Sequence, residues 1–477
     1  MAHSKGTAHS KGMGHPKGAA QSKGKARSKG TPASAEPEAR SLGFWTCTAL
    51  VIGNVVGSGF FLIPAALAPY GAVALIGWVA MSFGAVALAL VFARLSRIAP
   101  AAGGPYAFTR LGFGEFAGFL IAWGYWISIW ASQPAIALAF AGYLESLIPG
   151  LQGMKGATTI IALASMWFVA AINLRGVKEA GRFQLAMVAI KIVPFLAIAT
   201  IGLLWVDWNR FVPINPTGQS FWAALSATAP LTMFAFLGIE SATVPAGDVK
   251  DPERTIPRAT IVGTLVAACL FLFGTMAVMG VVPEATLAAS SAPFSAAATS
   301  MWGGGAGVII ALAAMLSSLG ALNGWTLLMA QVPMAAARDG VLPRFFGETN
   351  RNGVPTKGIL LSVSLSSALL ILESSGVKGL MKVYDFIVDI STDAEMVPYV
   401  FCCCVEGILF ATLAKREGLF SRRTYIPIAT VAFLFSMWTI YGSGPRAGMW
   451  GLLLLLAGLP LYVHMRRSRP DSGSAEP

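Results

Sequence analysis

Glu240 is the residue whose setting most demands a function. It lies in Phe234-Ala235-Phe236-Leu237-Gly238-Ile239-Glu240-Ser241-Ala242, an apolar run interrupted by a glycine. A carboxylate at mid-membrane depth is costly, so Glu240 is a functional candidate by default. A second run, Gly53-Asn54-Val55-Val56-Gly57-Ser58-Gly59, places three glycines within seven residues. Each glycine costs a helix about 1 kcal/mol against alanine, which makes this a weak point in a span. Unwinding there frees backbone N–H groups at the start of a half-helix, which suits a carboxylate, and Ser58 adds a hydroxyl donor. Close helix packing through small residues is the structural alternative.

Carboxylates also cluster further on, as Asp385, Asp389, Asp393, Glu395 and Glu406. The first three follow i, i+4, i+8 and share one helix face. Three charges on one face of a membrane helix argue for a wet pathway, expected to begin at the outer mouth and descend towards the binding site. Attraction of cations is the first reading of that face; salt bridges to Lys378, Lys382 or Arg446, and a proton relay, are the alternatives. Lys191 stands alone within another apolar stretch, where either proton coupling or a structural ion pair would explain it. The five cysteines (Cys47, Cys269, Cys402, Cys403, Cys404) include no CxxC, so neither a zinc site nor a disulfide framework is expected. No metal and no cofactor is called for.

The elements that position these groups must be membrane helices. The chain has 477 residues, 55% hydrophobic and 12% charged, with a mean hydropathy of +0.67. Soluble globular proteins carry about 25% charged residues, so soluble enzymes, fibres and disordered chains are excluded. A hydrocarbon core of about 30 Å needs about 20 apolar residues per helix. Twelve stretches qualify: Phe44–Leu67, Ala72–Ile98, Phe116–Tyr143, Ala157–Asn173, Leu185–Val206, Phe221–Val249, Ala259–Val281, Val308–Pro333, Gly358–Glu373, Val383–Thr412, Tyr425–Tyr441 and Met449–Met465. With both termini cytoplasmic, 20 Lys/Arg fall in inner loops and the C-terminal tail and only five in outer loops. The glycine-rich run and Glu240 then lie in spans one and six, the first helices of two five-helix units. Interrupted spans at corresponding places in two halves mark the binding site of a transporter.

Three parts follow. Residues 1–42 form a basic tail with a six-residue Lys/Gly repeat, expected to be disordered and cytoplasmic. Its His3, His9 and His15 are spaced six apart, which fits no compact metal-ligand set. Residues 43–465 form the transporter domain, and 466–477 a short cytoplasmic tail. The fold expected is all-α: twelve transmembrane helices in a five-plus-five inverted repeat, with helices 1 and 6 broken.

Several motifs are familiar in this order. Gly57-Ser58-Gly59 with Phe60-Phe61-Leu62-Ile63-Pro64-Ala65, then Gly103-Gly104-Pro105-Tyr106-Ala107, then Gly238-Ile239-Glu240-Ser241-Ala242 with Lys250-Asp251-Pro252-Glu253-Arg254, resemble the amino acid–polyamine–organocation superfamily. Asn323-Gly324-Trp325-Thr326-Leu327-Leu328 and Val397-Pro398-Tyr399 resemble its basic amino acid/polyamine antiporter branch, with the arginine/agmatine exchangers the nearest pattern. The resemblance implies a substrate site at Val55, Gly57, Ser58, Gly59, Gln133, Phe234, Leu237, Trp325 and Ser391. In it the Gly57–Gly59 turn would hold the α-carboxylate, and backbone carbonyls near Val55, Phe234 and Leu237 the α-amino group. Trp325 would line the aliphatic stem. Glu240 resembles the family's proton-sensing carboxylate, and Tyr106, Tyr125 and Tyr399 fall where the family has gating or pH-responsive tyrosines.

Departures from the family pattern bear on specificity. Phe234 replaces a tryptophan that stacks on the guanidinium, keeping a π face but a weaker one. Gln133 replaces an asparagine. The acidic face of Asp385, Asp389 and Asp393 is foreign to the arginine/agmatine branch, as is Lys191, which matches a lysine that acts as a built-in cation in other permeases of the superfamily. The expected function is a secondary transporter of the inner membrane. It would exchange a basic amino acid, arginine first, for its decarboxylated amine; a proton-coupled amino acid permease is the alternative. An enzyme is not expected, because no Ser/His, metal-ligand or paired-Asp signature occurs. The partners implied are cationic amino acids, amines and the lipid bilayer; a homodimer is left open and nucleic acid is not expected.

Overall fold

The computed structural model describes residues 42–57, 60–98, 103–151, 154–176, 187, 192–243, 249–376, 380–409 and 422–467. Ser58, Gly59, Lys191, Lys378 and the N-terminal repeat therefore lie outside the described residues. The first expected span is divided between α1 (Phe44–Val55) and the short α2 (Ile63–Leu67). Then come α3 (Ala72–Ile98), α4 (Pro105–Leu147), α5 (Ala157–Arg175), α6 (Ile192–Trp205) and α7 (Phe221–Phe236). The second half holds α8 (Pro252–Val281), α9 (Glu284–Ala288), α10 (Pro293–Trp302), α11 (Gly304–Arg338), α12 (Thr356–Gly376) and α13 (Leu380–Leu409). The last spans are α14 (Arg422–Gly442) and α15 (Gly444–Leu456), the latter continued by α16 (Leu459–Arg467).

Among the described residues, seven helical segments are long and apolar enough to cross a membrane, and four shorter apolar ones accompany them. With α13, whose carboxylates lower its hydropathy, they follow the order of the expected spans. The protein is a polytopic, all-helical membrane protein. Helix starts obey local chemistry: Pro105, Pro252 and Pro293 open α4, α8 and α10, where a missing N–H costs nothing. Ser220 caps α7 by accepting from the Ala223 N–H at 3.2 Å.

Two features depart from the expected spans. α4 is interrupted at Gly114, whose φ of 83° and ψ of −171° are not helical, so a helical segment from Pro105 precedes the span, and the span itself begins close to the expected Phe116. The connection between spans seven and eight contains α9 and α10, which hydropathy over a 20-residue window does not reveal. Phe294 of α10 is fully buried and packs on Phe60 and Phe61. The Tyr143 hydroxyl of α4 donates to the Phe61 carbonyl at 3.0 Å and accepts from the Phe294 N–H at 3.2 Å. One tyrosine thus ties the far half of the broken first span to α4 and α10. At the centre α4 packs most extensively against α13 and α11. These three helices carry the predicted side chains Tyr106, Tyr125, Gln133, Trp325, Ser391 and Tyr399.

Candidate functional site

Both expected interruptions are present. α1 stops at Val55, and its backbone turns through Gly57 at φ 141°. A Cβ at Gly57 would sit 2.9 Å from Ala321 Cβ and 3.0 Å from the Ser317 carbonyl, so glycine serves both the backbone angle and the close approach to α11. α7 stops at Phe236, and Gly238 follows at φ 94°. Its chain then makes tight turns, with Ser241 N–H donating to the Gly238 carbonyl at 3.0 Å and Thr243 N–H to the Glu240 carbonyl at 2.7 Å.

The two breaks meet. Asn54 Nδ2 donates to Ser241 Oγ at 2.9 Å, linking positions 187 residues apart. Trp325 Nε1 donates to the Asn54 carbonyl at 3.3 Å, and a Cβ on Gly238 would stand 3.2 Å from the Trp325 ring. Asn173 of α5 donates to Asn323 at 2.9 Å, which fixes the roll of α11 and so the direction of Trp325. Val55, Gly57, Leu237 and Trp325 are therefore drawn into one buried cluster.

Glu240 lies beneath this junction, fully buried. The Tyr125 hydroxyl donates to its Oε1 at 2.5 Å, and the Tyr399 hydroxyl donates to its Oε2. Hydrogen bonds to a charged acceptor contribute about 1.5–3 kcal/mol each, which offsets much of the cost of placing a carboxylate there. Glu395 stands one turn before Tyr399 on α13, also fully buried, and accepts from Ser128 of α4 through Oε2. Among the described residues its Oε1 meets no well-aligned donor, although the Tyr399 hydroxyl that serves Glu240 lies beside this acid too. Sequence reading placed Glu395 among the span's carboxylates without giving it a role; the usable signal was its i, i+4 spacing to Tyr399.

Tyr106 takes part in a different group. Its hydroxyl donates to Asp339 Oδ2 at 2.6 Å, beside Arg110, whose guanidinium lies 3.1 Å from Asp339 and 2.6 Å from Glu115. This cluster latches the start of α4 to the end of α11. Sequence reading missed Asp339 because a charge in a loop looks like any other loop charge.

The remaining predicted residues divide. Phe234 packs edge-on against Tyr384 of α13, centroids 6.4 Å apart, both buried. Gln133 is buried next to the Trp325–Thr326 turn of α11: its Oε1 accepts from Thr326 at 3.5 Å, while its Nε2 has no acceptor among the described residues. An unmet amide donor in the interior is costly, and a ligand acceptor would relieve it. Ser391 spends its hydroxyl on the Ile387 carbonyl at 2.7 Å. The acidic face does not join this group. Asp393 abuts Gly448 and Gly451 of α15, and Asp385 and Asp389 lie near Tyr70. Among the described residues no salt bridge reaches any of the three aspartates. Arg446 instead pairs with Glu373 at 3.8 Å and covers the Phe386 ring. Spacing identified the shared face but not what that face meets.

Comparison with known proteins agrees with this architecture. Residues 42–446 match the family model for amino acid permeases. The chain is 33% identical to the cadaverine/lysine antiporter of Escherichia coli strain K12, over 80% of this chain and 86% of that protein. It is 28% identical to the putrescine transporter PotE of Haemophilus influenzae, over 89% of this chain and 97% of that protein. The PotE of E. coli strain K12 is 27% identical over 90% and 97%. The interrupted first and sixth spans, the carboxylate beneath their junction and the extent of these matches lead to one conclusion: the chain belongs to the amino acid permease family of the amino acid–polyamine–organocation superfamily, with basic amino acid/polyamine antiporters among its relatives.

Proposed function

We propose that the protein exchanges a basic amino acid for its decarboxylated amine across the inner membrane by alternating access, with both termini cytoplasmic. The observation that carries this reading is the junction of the two broken helices above Glu240. Backbone groups at such breaks take the α-carboxylate and α-amino group of an amino acid, and a protonatable carboxylate below them links loading to pH. In this reading Gly57, Ser58 and Gly59 hold the carboxylate, Val55, Phe234 and Leu237 face the amino group, and Trp325, Gln133 and Ser391 line the stem. Tyr125 and Tyr399 carry the protonation state of Glu240 to α4 and α13, and the Tyr106–Asp339 latch gates the Lys/Arg-rich end.

The substrate follows from Phe234 and from the relatives. A phenyl face stacks less strongly on a guanidinium than an indole does, which favours a side-chain ammonium. The relatives are named for lysine, cadaverine and putrescine. Lysine with cadaverine is accordingly the first pair, ahead of the arginine and agmatine that the sequence motifs suggest. The test is counterflow in proteoliposomes loaded with lysine, cadaverine, ornithine, putrescine, arginine or agmatine. The expected result is that cadaverine and lysine drive uptake of labelled lysine most strongly. Uptake driven by an acid outside pH and indifferent to internal substrate would overturn exchange in favour of the proton-coupled permease, the reading Lys191 supports.

A further inference from the structure

Asp393 occupies the side of α13 turned away from the transport site. Residues two apart on a helix are separated by about 200°, so Glu395, which faces Ser128, leaves Asp393 pointing towards α14 and α15. There a cavity of about 180 Å³ opens between α4, α13, α14 and α15. Ile127, Val397, Ile440, Leu452 and Leu455 supply apolar walls, and among the described residues Asp393 is the one ionisable side chain in the lining. Gly448 and Gly451 leave the space beside the carboxylate open: Cβ atoms built there would stand 3.9 Å from its Oδ2 and 3.7 Å from its Cβ.

The carboxylate is 4% exposed, and among the described residues neither oxygen meets a well-aligned donor. The Ser443 hydroxyl stands beside Asp393 and is, among those residues, the one donor at hand, but it is shared with the Thr439 carbonyl 3.3 Å away, so one hydroxyl faces two carboxylate oxygens. A buried acid with no counter-charge among the described residues, in an otherwise apolar cavity, wants a cation. A hard metal ion needs about six oxygen ligands, which one carboxylate among aliphatic walls does not supply. A dication would bury its second charge against leucine and isoleucine. A monocation with an apolar body satisfies both surfaces. An engineered cavity of about 150 Å³ holds benzene, so this one suits a ligand of about six to eight heavy atoms.

We propose that this cavity is a second binding site, distinct from the transport site, for a free primary monoalkylammonium of about five or six carbons, with its ammonium on Asp393 and its chain against α14 and α15. Asp389 and Asp385, on the same face, continue the stripe of acid away from the cavity towards Tyr70 and favour entry of a cation from that end. The site is independent of which amino acid the protein carries.

The full chain in phosphatidylcholine/phosphatidylglycerol nanodiscs is titrated with 5-fluoropentylammonium, followed by fluorine NMR under saturating lysine to occupy the transport site. One saturable, lysine-resistant site is expected. Asp393→Asn should weaken it at least tenfold, and so should Gly451→Leu, which fills the cavity while keeping the acid. Glu240→Gln should leave it unchanged, and 5-fluoropentanol should show no dependence on Asp393. Absence of lysine-resistant binding to the unsubstituted chain overturns the proposal without recourse to any variant. Equal binding to folded Asp393→Asn overturns it too. Loss of binding when phosphatidylethanolamine is added assigns the site to a lipid headgroup and likewise overturns it.

Discussion

The Tyr399 hydroxyl donates to the carboxylate of Glu240 across 159 positions of sequence, from a helix that carries a second acid one turn earlier. Tyr125 holds the other oxygen of Glu240, so α4, α13 and the broken sixth span meet at one carboxylate. A change in the protonation of Glu240 exchanges acceptor for donor at that point, and both helices must respond.

Glu240→Gln keeps the shape but removes the titration. Lysine exchange by this variant should be nearly independent of pH over the acidic range in which the parent changes, measured as initial rates in proteoliposomes. A profile that still follows the parent's would place proton sensing elsewhere, and Glu395→Gln would then be the variant to examine.

Tyr125→Phe deletes one hydrogen bond to the buried acid. An expected loss of about 1.5–3 kcal/mol in stability follows from the charged acceptor. It is read as a lowered midpoint in thermal unfolding of the detergent-solubilised protein, and Glu240→Gln should make the two changes non-additive.

Gly57→Ala forces a Cβ to within 2.9 Å of Ala321 Cβ at a φ that costs a non-glycine residue about 1–3 kcal/mol. Transport should fall at least tenfold with normal membrane expression. Ala321→Gly in the same chain should restore only a small part of it, because it relieves the contact with Ala321 but neither the 3.0 Å approach to the Ser317 carbonyl nor the backbone strain. Ser58→Lys, which would put an ammonium in the expected carboxylate cradle, should abolish exchange outright.

Asp339→Asn weakens the latch on Tyr106 and Arg110. Both charged partners are partly exposed, so the effect is about 1 kcal/mol or less, equivalent to about a fivefold shift in opening. A cysteine at buried Thr109, one turn inside Tyr106, reports it through maleimide labelling once the exposed Cys269 and Cys404 are replaced. The labelling rate should rise, by up to about fivefold.

The sequence made the helix breaks legible because glycine clusters are expensive inside spans, and it made Glu240 legible because a lone acid in an apolar run has few innocent explanations. The partners were less accessible. That Asn54 reaches Ser241 and that Tyr125 and Tyr399 share one carboxylate depend on how α4, α11 and α13 roll against each other, which periodicity along one chain does not encode. The acidic face of α13 shows the same limit. Spacing put Asp385, Asp389 and Asp393 together, yet the neighbours that decide their role, Gly448 and Gly451, come from a helix more than fifty residues later. α10 escaped notice because a ten-residue helix is too short for a membrane-length window.

Exchange, as opposed to net uptake, is tested by the dependence of lysine entry on internal amine. Labelled lysine is offered to proteoliposomes at a single pH and clamped membrane potential, either empty or loaded with cadaverine. Uptake should be rapid only into loaded vesicles, with cadaverine leaving as lysine enters. Equal uptake into empty vesicles would contradict it.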